Sequence, residues 1–497
     1  MDRKKQKETP YIDALIKYIN EKNVVFDVPG HHEGEIKTDL NRVFSSKLYR
    51  GDVNCPRGLD NIGNPTGVIK KAQDLMADAT GALACKFLVN GSTSGNLIMI
   101  LSSLKAKEKI ILPRNVHKSV INSLILSGAI PVFLMPEIDS RSEIVNQVSF
   151  EKWKIAIDDN PDAKAIFVIN PTYFGATADL KKIIAYAHKK GMIALVDEAH
   201  GSHFYFGKGF PITAMKAGAD MSTLSIHKTG GSLTQSSVLL IGSDRISMYD
   251  INKSYGMLTS TSPSSVLLAS LDAARKFLVT KGKKHLENTC ELAEFARNEI
   301  KNIRGFIPRG REHFLEHGAY DYDNTKVVVE LDKLTINGFE LYKILHDKYH
   351  IQIELAETYV FLLIVSIGST RKDIEILLSA LREISAKYYD DSITYEDRHY
   401  MKNFPAMLVR PRVAFHAPLK IVKLQEAVNE ISKDMIMIYP PGIPLIVPGE
   451  VFTEEIIKQI EYYKSLDTTI LSDYTDGRVS IIDKDAWNYL DHDKDDE

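Results

Sequence analysis

Short apolar segments alternate with segments of helical spacing along the first three-fifths of the chain. The apolar segments predict β-strands, because each is a nearly continuous apolar run between turn residues. They are Phe87–Asn90, Lys109–Leu112, Ile130–Met135, Ala165–Asn170, Met192–Asp197, Met221–Ile226 and Ser237–Ile241. The spacing between them predicts helices over Gly95–Leu104, His117–Leu126, Phe150–Asp158 and Leu180–Lys190. Continuous apolar strands are typical of sheets buried on both faces, so the pattern predicts an α/β domain with a mainly parallel sheet.

The pattern changes along the chain and predicts four parts. Residues 1–39 form a polar N-terminal arm, 40–301 the α/β major domain, 302–393 a smaller α+β domain, and 394–497 a C-terminal subdomain with an acidic tail. The last two parts are predicted to contain strands Thr325–Leu331 and Tyr359–Ser366 and helices Gly338–His346, Arg371–Tyr388 and Lys420–Ile431.

Composition excludes several classes of protein. The 497 residues carry 62 Lys and Arg against 65 Asp and Glu, a net charge of -3, which argues against a strongly basic nucleic-acid binder. Three scattered cysteines are too few for a disulfide framework or a zinc cluster, so we expect a reducing compartment and no metal centre. The N-terminus has no apolar signal region and no apolar run approaches the ~20 residues of a membrane span. We therefore expect a cytoplasmic protein with neither membrane nor nucleic acid as a partner.

Candidate catalytic and binding residues follow the predicted strands. In parallel sheets, functional groups lie in the loops beyond the carboxyl ends of the strands. Ser92, Thr93 and Ser94 begin a helix after the first strand, and such a terminus is either an anion site or a plain N-cap. Asp197 ends an apolar strand, where a buried carboxylate needs an N–H or cationic partner. It would find that partner either as the N-cap of a helix or in a salt bridge. Lys228 follows the next strand and is either a solvated lysine or a desolvated amine suited to a Schiff base.

The order of these groups is more specific than any one of them. An anion-binding Ser/Thr cluster is followed by His117, which taken alone is more often a solvated or capping residue, then by Asp197 and Lys228. Pyridoxal 5'-phosphate (PLP) needs this set, because its phosphate, ring nitrogen and aldehyde require an anion site, a carboxylate and a lysine, and an imidazole can stack on its ring. The sequence therefore predicts a PLP enzyme.

Several longer motifs carry a resemblance to a known family. They are PGHHEG (Pro29–Gly34), GLDNIGNPTGVIKKAQ (Gly58–Gln73), FLVNGSTSGN (Phe87–Asn96), RNVHKSV (Arg114–Val120), DEAHGSH (Asp197–His203), SIHKTGGSLTQSS (Ser225–Ser237), TSTSPSS (Thr259–Ser265), RPRVAFHAP (Arg410–Pro418) and YPPGIPLIVPGE (Tyr439–Glu450). With them the chain resembles the Orn/Lys/Arg decarboxylases of the aspartate-aminotransferase fold (fold type I), in their short Gram-positive-type form. The chain departs from the family pattern at three places. His32 stands where the family usually has lysine, and residues 52–56 and Thr80 also differ from the residues usual there.

The resemblance implies a role for each matching residue. Lys228 is the Schiff-base lysine, Asp197 pairs with the pyridine nitrogen, His117 stacks on the ring, and His200 lies near the 3'-oxygen. The phosphate is held by Ser92, Thr93, Ser94, Ser225 and His227, with Thr261 and Ser262 reaching it across a dimer interface. Glu450 is the candidate contact for the distal cation of the substrate. The catalytic residues are then Lys228 and His200, and Lys228, His200 or a tyrosine protonates Cα.

The activity implied by the resemblance is α-decarboxylation of a basic amino acid. Arginine, giving agmatine, is the first expectation, followed by lysine to cadaverine and ornithine to putrescine. An aminotransferase, a lyase, a decarboxylase of an unusual basic amino acid and a non-catalytic homologue are the alternatives. Because this fold completes its sites across a two-fold axis, a homodimer or a dimer of dimers is expected.

Overall fold

Helices and strands alternate through the first half of the structure, a computed structural model. It describes residues 1–139, 141–394, 404–439, 443–465, 469–471 and 477–487. The predicted acidic tail, residues 491–497, lies outside these ranges. None of the described helices combines the length and the apolar character needed to cross a membrane.

The helices have the following bounds: α1 (Pro10–Glu21), α2 (Ser46–Gly51), α3 (Val68–Thr80), α4 (Gly91–Ser103), α5 (Lys118–Ser127), α6 (Phe150–Asp159), α7 (Leu180–Lys189), α8 (Ala214–Ala217), α9 (Ile226–Thr229), α10 (Met248–Leu258), α11 (Ser265–Phe277), α12 (Lys283–Ile300), α13 (Arg311–Glu316), α14 (Gly338–Tyr349), α15 (Arg371–Tyr388), α16 (Pro411–His416) and α17 (Glu454–Ser465). Short 3-10 turns and one π-helical turn, Leu278–Gly282, lie between them.

The strands have the following bounds: β1 (Ala84–Leu88), β2 (Lys109–Pro113), β3 (Ile130–Leu134), β4 (Ala165–Ile169), β5 (Ala176–Thr177), β6 (Ile193–Asp197), β7 (Met221–Leu224), β8 (Ser237–Ile241), β9 (Phe306–Arg309), β10 (Asp321–Tyr322), β11 (Lys326–Leu331), β12 (Leu355–Ala356), β13 (Val360–Ile364), β14 (Leu419–Lys423), β15 (Ile436–Tyr439), β16 (Ile443–Ile446), β17 (Thr469–Leu471) and β18 (Arg478–Ile482).

A seven-stranded sheet has the order β1-β8-β7-β6-β4-β2-β3. Strands β6 and β7 are parallel, as are β2 with β3 and β2 with β4, whereas β8 is antiparallel to both β7 and β1. Most of its strand residues are fully buried, as expected for a sheet covered on both faces. The prediction of an α/β fold with a mainly parallel sheet is confirmed.

The chain divides into two compact units. Unit 1 comprises Met1–Ser102 and Ala194–Asn288, and unit 2 comprises Ser103–Ile193 and Thr289–Glu497. The predicted division into four parts, residues 1–39, 40–301, 302–393 and 394–497, is a different kind of boundary and stays a prediction.

In unit 1, hydrogen bonds join the N-terminal segment to helix α11. Asp272 and Arg275 are fully buried and form an ion pair of 2.6 Å. Arg275 Nη1 also donates to the carbonyl of Gln6, and the amide of Tyr11 donates to Asp272 Oδ2. The second of these bonds satisfies an amide in the first turn of α1 that has no partner within the helix.

Unit 2 contains a second, antiparallel sheet of order β12-β13-β11-β9. Its apolar face packs with α14 and α15 in a core that includes Val327, Leu341, Phe361 and Leu381. Predicted helix Arg371–Tyr388 is confirmed as α15, which starts with a capping box between Thr370 and Asp373.

The predicted helix Lys420–Ile431 is wrong. The segment begins in strand β14, which pairs antiparallel with β18, and continues as the 3-10 turn Leu424–Ala427. The β-branched side chains of Ile421 and Val422 favour an extended backbone, and β18 supplies its hydrogen bonds. That partner lies far along the sequence, so local spacing did not reveal it.

Candidate active site

Helix α4 in unit 1 presents two side chains one turn apart to the carboxyl ends of neighbouring strands. Ser92 lies 2.8 Å from Ser225 Oγ, directly after β7. Asn96 Nδ2 donates to Asp197 Oδ2, at the end of β6, over 2.9 Å. Residues four apart share a helix face, so one stripe of α4 meets both strand ends.

A glycine allows α4 to approach the sheet closely. A Cβ built on Gly95 would lie 2.1 Å from Thr223 Oγ1, on strand β7. Such a distance is well inside van der Waals contact, so a side chain here would force the helix and strand apart. Gly95 in the GSTSGN motif therefore serves packing, and Ser92 before it meets the end of β7.

Asp197 is buried and its carboxylate is held by two donors. It is 6% exposed and accepts from Asn96 Nδ2 and from the amide of Ala199, each at 2.9 Å. Among the described residues, no lysine, arginine or histidine forms an ion pair with it. A buried carboxylate is costly without a cation, so this position is suited to a positively charged ligand group.

Lys228 lies on the short helix α9, which follows β7 after Ser225. Its Nζ lies 2.9 Å from Nε2 of the buried His200. A 2.6 Å hydrogen bond between the hydroxyls of Ser202 and Thr229 joins the loop after β6 to this same helix. The structure thus brings together Lys228 and His200, as the resemblance implies.

The remaining predicted phosphate ligands differ in their surroundings. Ser94 Oγ donates to the carbonyl of Gly91, while Thr93 is exposed. His227 Nδ1 donates to the carbonyl of Ser236 over 2.9 Å, and burial lowers the pKa of its imidazole. Thr261 and Ser262 are exposed on the loop before α11.

Two predicted site residues belong to unit 2. His117 is the N-cap of α5, and its Nδ1 accepts from the amide of Ser119 over 3.2 Å. Glu450 is 1% exposed and forms a bidentate ion pair with Arg114, at 2.6 and 2.7 Å. Glu450 Oε2 also accepts from the amide of Val447 over 2.9 Å. Both carboxylate oxygens of Glu450 thus bond within unit 2, and its contact with the substrate stays a prediction.

The Arg114–Glu450 pair has a structural role that can be measured. Arg114 is 2% exposed and its guanidinium lies over the rings of Phe133 and Phe404, 4.9 and 5.4 Å from their centroids. The variant Glu450→Gln leaves this buried cation without a countercharge, so we expect a loss of about 2 kcal/mol in the free energy of unfolding. Urea denaturation measures it, with the exposed Glu454→Gln as the control. An unchanged unfolding midpoint in Glu450→Gln would contradict this role.

Sequence reasoning missed Asn96 and Glu198 as parts of this site. The i, i+4 spacing of Ser92 and Asn96 could have identified Asn96, because it places both side chains on one face of the helix. Glu198 is fully buried behind Asp197, where Tyr205 and Ser222 donate to Oε2 and the amide of Ala214 donates to Oε1. No local pattern identifies these donors, since they come from segments that only folding brings near.

The Glu198 carboxyl makes stability depend on pH. Burial raises its pKa from 4.5 to about 7, although the hydrogen bonds partly oppose the shift. Between these values the folded protein keeps a proton that the unfolded chain releases, so stability falls as pH rises from 4.5 to about 7. We expect Glu198→Gln to lose this dependence, worth up to about 3 kcal/mol. Urea unfolding between about pH 4 and pH 8 measures it, and an unchanged slope in the variant would contradict the assignment.

Comparisons with known proteins identify the family of this chain. The family model for the Orn/Lys/Arg decarboxylase major domain matches residues 9–373, and that for the C-terminal domain matches residues 394–471. An arginine decarboxylase of Bacillus subtilis is 39% identical, over 93% of this chain and 94% of its own. One from Halalkalibacterium halodurans is 40% identical, over 92% and 93%. An inducible lysine decarboxylase of Escherichia coli is 25% identical, over 95% and 81%.

Solved structures share the fold. A lysine decarboxylase of Francisella novicida superposes with a TM-score of 0.83 at 22% identity, over 96% of this chain and 81% of its own. An alanine–glyoxylate aminotransferase of Nostoc has a TM-score of 0.53 at 14% identity, over 68% and 91%. The predicted aminotransferase-like fold is confirmed. With two family models matching most of its length, the chain belongs to the Orn/Lys/Arg decarboxylase family and is a decarboxylase.

Proposed function

We propose that this protein converts arginine to agmatine and CO2, using PLP bound at Lys228. The observation that carries the cofactor is the arrangement within unit 1 of a lysine, a buried carboxylate and a hydroxyl pair at a helix N-terminus. The observation that supports arginine is the 39–40% identity to relatives named arginine decarboxylase, against 25% to one named lysine decarboxylase.

The residues of unit 1 fit the charged groups of PLP. Asp197 is buried with two neutral donors, and the protonated pyridine nitrogen is the cation that it needs. At the start of α4, the hydroxyls of Ser92 and Ser225 and the positive end of the helix dipole suit a phosphate. Bound there, PLP supplies an electron sink for the carbanion left when the α-carboxylate departs as CO2.

Asp197 and Asn96 act together in this proposal. The carboxylate keeps the ring nitrogen protonated, and it does so best when its own position is fixed. Asn96 Nδ2 and the amide of Ala199 each donate to a different oxygen of Asp197, which orients the carboxylate without neutralising it. Asn96 is therefore a positioning residue for Asp197.

Lys228 would hold the cofactor through its side-chain amine. Its Nζ lies 2.9 Å from His200 Nε2, so the two groups lie side by side. Either group can deliver a proton to Cα after CO2 has left, and a tyrosine is the further candidate.

His227 is proposed to take up a proton when phosphate binds. Its Nδ1 proton is engaged by the carbonyl of Ser236, so a hydrogen bond from Nε2 to an anion requires the imidazolium form. Roles for Ser94, Thr93, His117, Thr261 and Ser262 are proposed on the family resemblance alone.

Product analysis tests the proposed activity. Purified protein with added PLP is incubated separately with arginine, lysine and ornithine, and the amines are identified by mass spectrometry. We expect agmatine from arginine, with CO2 released in equal amount. Cadaverine or putrescine as the main product would replace arginine as the substrate. No amine from any of the three would overturn a basic amino acid of this set as the substrate.

We further propose that the protein is a homodimer, or a dimer of dimers. Apolar side chains between residues 24 and 43 are strongly exposed in the single chain, among them Phe26 at 97% and Val24 at 82%. Exposed apolar segments of this kind mark protein–protein contacts. We expect Phe26→Ser to weaken the dimer in size-exclusion chromatography with light scattering, with the solvated Lys17→Ser as the control.

A cytoplasmic location is also proposed. All three cysteines, Cys55, Cys85 and Cys290, are free thiols, which suits a reducing compartment. Fractionation of the source cells with an antibody tests it, and recovery in the secreted fraction would contradict it.

A further inference from the structure

A cluster of metal-ligating side chains lies in unit 2, among residues to which the proposed activity gives no role. Asp139, His313 and His317 each offer one ligand atom, and the three atoms lie within 4.8 Å of one another. His313 is on α13 and His317 is its C-cap, four residues on, so both imidazoles lie on one helix face. Asp139 comes from the segment between β3 and α6. Two histidines at i, i+4 with a carboxylate form a ligand set typical of zinc.

The imidazole of His317 is oriented by a backbone carbonyl. Its Nδ1 donates to the carbonyl oxygen of His313 over 2.7 Å, which places the ring proton on Nδ1. The lone pair of Nε2 is thereby available, and among the described residues no hydrogen bond engages Nε2. Metal-binding histidines almost always donate their second ring nitrogen to such an acceptor, and His317 is oriented in the same way.

The carboxylate of Asp139 is held in the same way. Its Oδ1 accepts from the amide of Arg141 over 2.9 Å, and its Oδ2 accepts from Ser142 Oγ over 2.8 Å and lies 3.1 Å from His313 Nε2. These hydrogen bonds fix the carboxylate in position.

The site is enclosed but open to ions. The side chains of His313 and Asp139 are 13% and 7% exposed, and His317 is half-buried. Zinc binds nitrogen and oxygen ligands at about 2.0–2.2 Å, so adjustments of about 1 Å would bring all three atoms into range. A fourth position is left for water.

We propose that Asp139, His313 and His317 bind a divalent transition-metal ion of the zinc type. The ion replaces the proton between His313 Nε2 and Asp139 Oδ2, and that proton passes to solvent. Its role is structural, because it joins α13 to the segment before α6. Asn146 Nδ2 already makes the same connection by donating to the carbonyl of Phe314 over 3.0 Å.

The competing interpretation is an ordinary hydrogen-bonded pair of His313 and Asp139. In that case His317 contributes nothing, which makes His317→Gln the decisive variant. His346 supplies the matched control, because it forms an exposed pair with Asp347 at 2.8 Å and belongs to no cluster of three ligands among the described residues.

The test measures zinc bound to the full chain carrying its cofactor. Equilibrium dialysis against Zn²⁺ at neutral pH, followed by elemental analysis, is carried out on the unaltered chain and on His317→Gln, Asp139→Asn and His346→Gln. We expect one more tightly bound Zn²⁺ per chain in the unaltered protein and in His346→Gln than in His317→Gln and Asp139→Asn. In His317→Gln and Asp139→Asn we expect an affinity for Zn²⁺ lower by about 100-fold or more. Zn²⁺ should also raise the melting temperature of the unaltered chain but not of His317→Gln.

The opposite results overturn the proposal. Equal zinc content and equal affinity in the unaltered chain and His317→Gln would show that the ions bind elsewhere. Should one variant fail to fold, the other gives the same comparison, since each removes a single ligand.

Discussion

Replacing Lys228 with alanine is expected to lower kcat for decarboxylation by at least about 10⁴-fold. The amine at this position is the group that holds the cofactor covalently in the proposed site, and it lies beside His200 as a source of protons. The variant should also lose the absorbance of cofactor bound covalently to the protein. Stopped assays of CO2 release and an absorbance spectrum of the purified variant measure both effects.

Lys208→Ala is the matched control for this prediction. Lys208 is exposed and lies in the same unit, so its loss should leave activity within about twofold. Activity in Lys228→Ala close to that of the control would remove the lysine from the mechanism, whatever the state of the cofactor.

Replacing Asp197 with asparagine is expected to lower kcat by about 10²–10³-fold, with a smaller change in KM. The substitution keeps the shape of the side chain but removes the charge that holds the ring nitrogen in its protonated form. An asparagine oxygen can also accept only one of the two bonds now donated by Asn96 and Ala199. Steady-state kinetics with saturating PLP measure the effect.

Asn96→Ala and Asp244→Asn complete this comparison. Asn96→Ala leaves the charge but frees one carboxylate oxygen, so we expect a fall in kcat of about tenfold, less than for Asp197→Asn. Asp244 is an exposed carboxylate of unit 1, and its loss should have no effect. Equal activity of Asp197→Asn and Asp244→Asn would contradict a catalytic role for the buried carboxylate.

Different parts of the fold were predictable to different degrees. The strands of the large sheet were found within a few residues of their ends, because strands buried on both faces carry continuous apolar runs. Helix α15 was found with its bounds, since its capping residue and its apolar spacing are both local signals. The segment from 420 to 431 was assigned wrongly, because pairing with β18 decides its conformation.

The candidate site shows the same division. The motifs around Ser92, Asp197 and Lys228 were visible as short strings, and the structure places all three in unit 1. Glu450 was also visible as a motif, but its partner is Arg114, 336 positions away. No spacing rule connects two residues at such a separation, so the ion pair was not predictable, and substrate contact by Glu450 stays a prediction.

The sequence by itself determined the family, the order of the α/β elements and the residue types of the proposed cofactor site. These depend on local spacing and on short motifs, which are complete within a few turns of chain. Only the tertiary structure decided that Asn96 holds Asp197, that Glu198 is buried among three donors, and that Asp139 lies near His313 of α13 and its C-cap His317. Most of these contacts join residues far apart in the chain, and their free energy depends on burial and on partner geometry that exist only after folding.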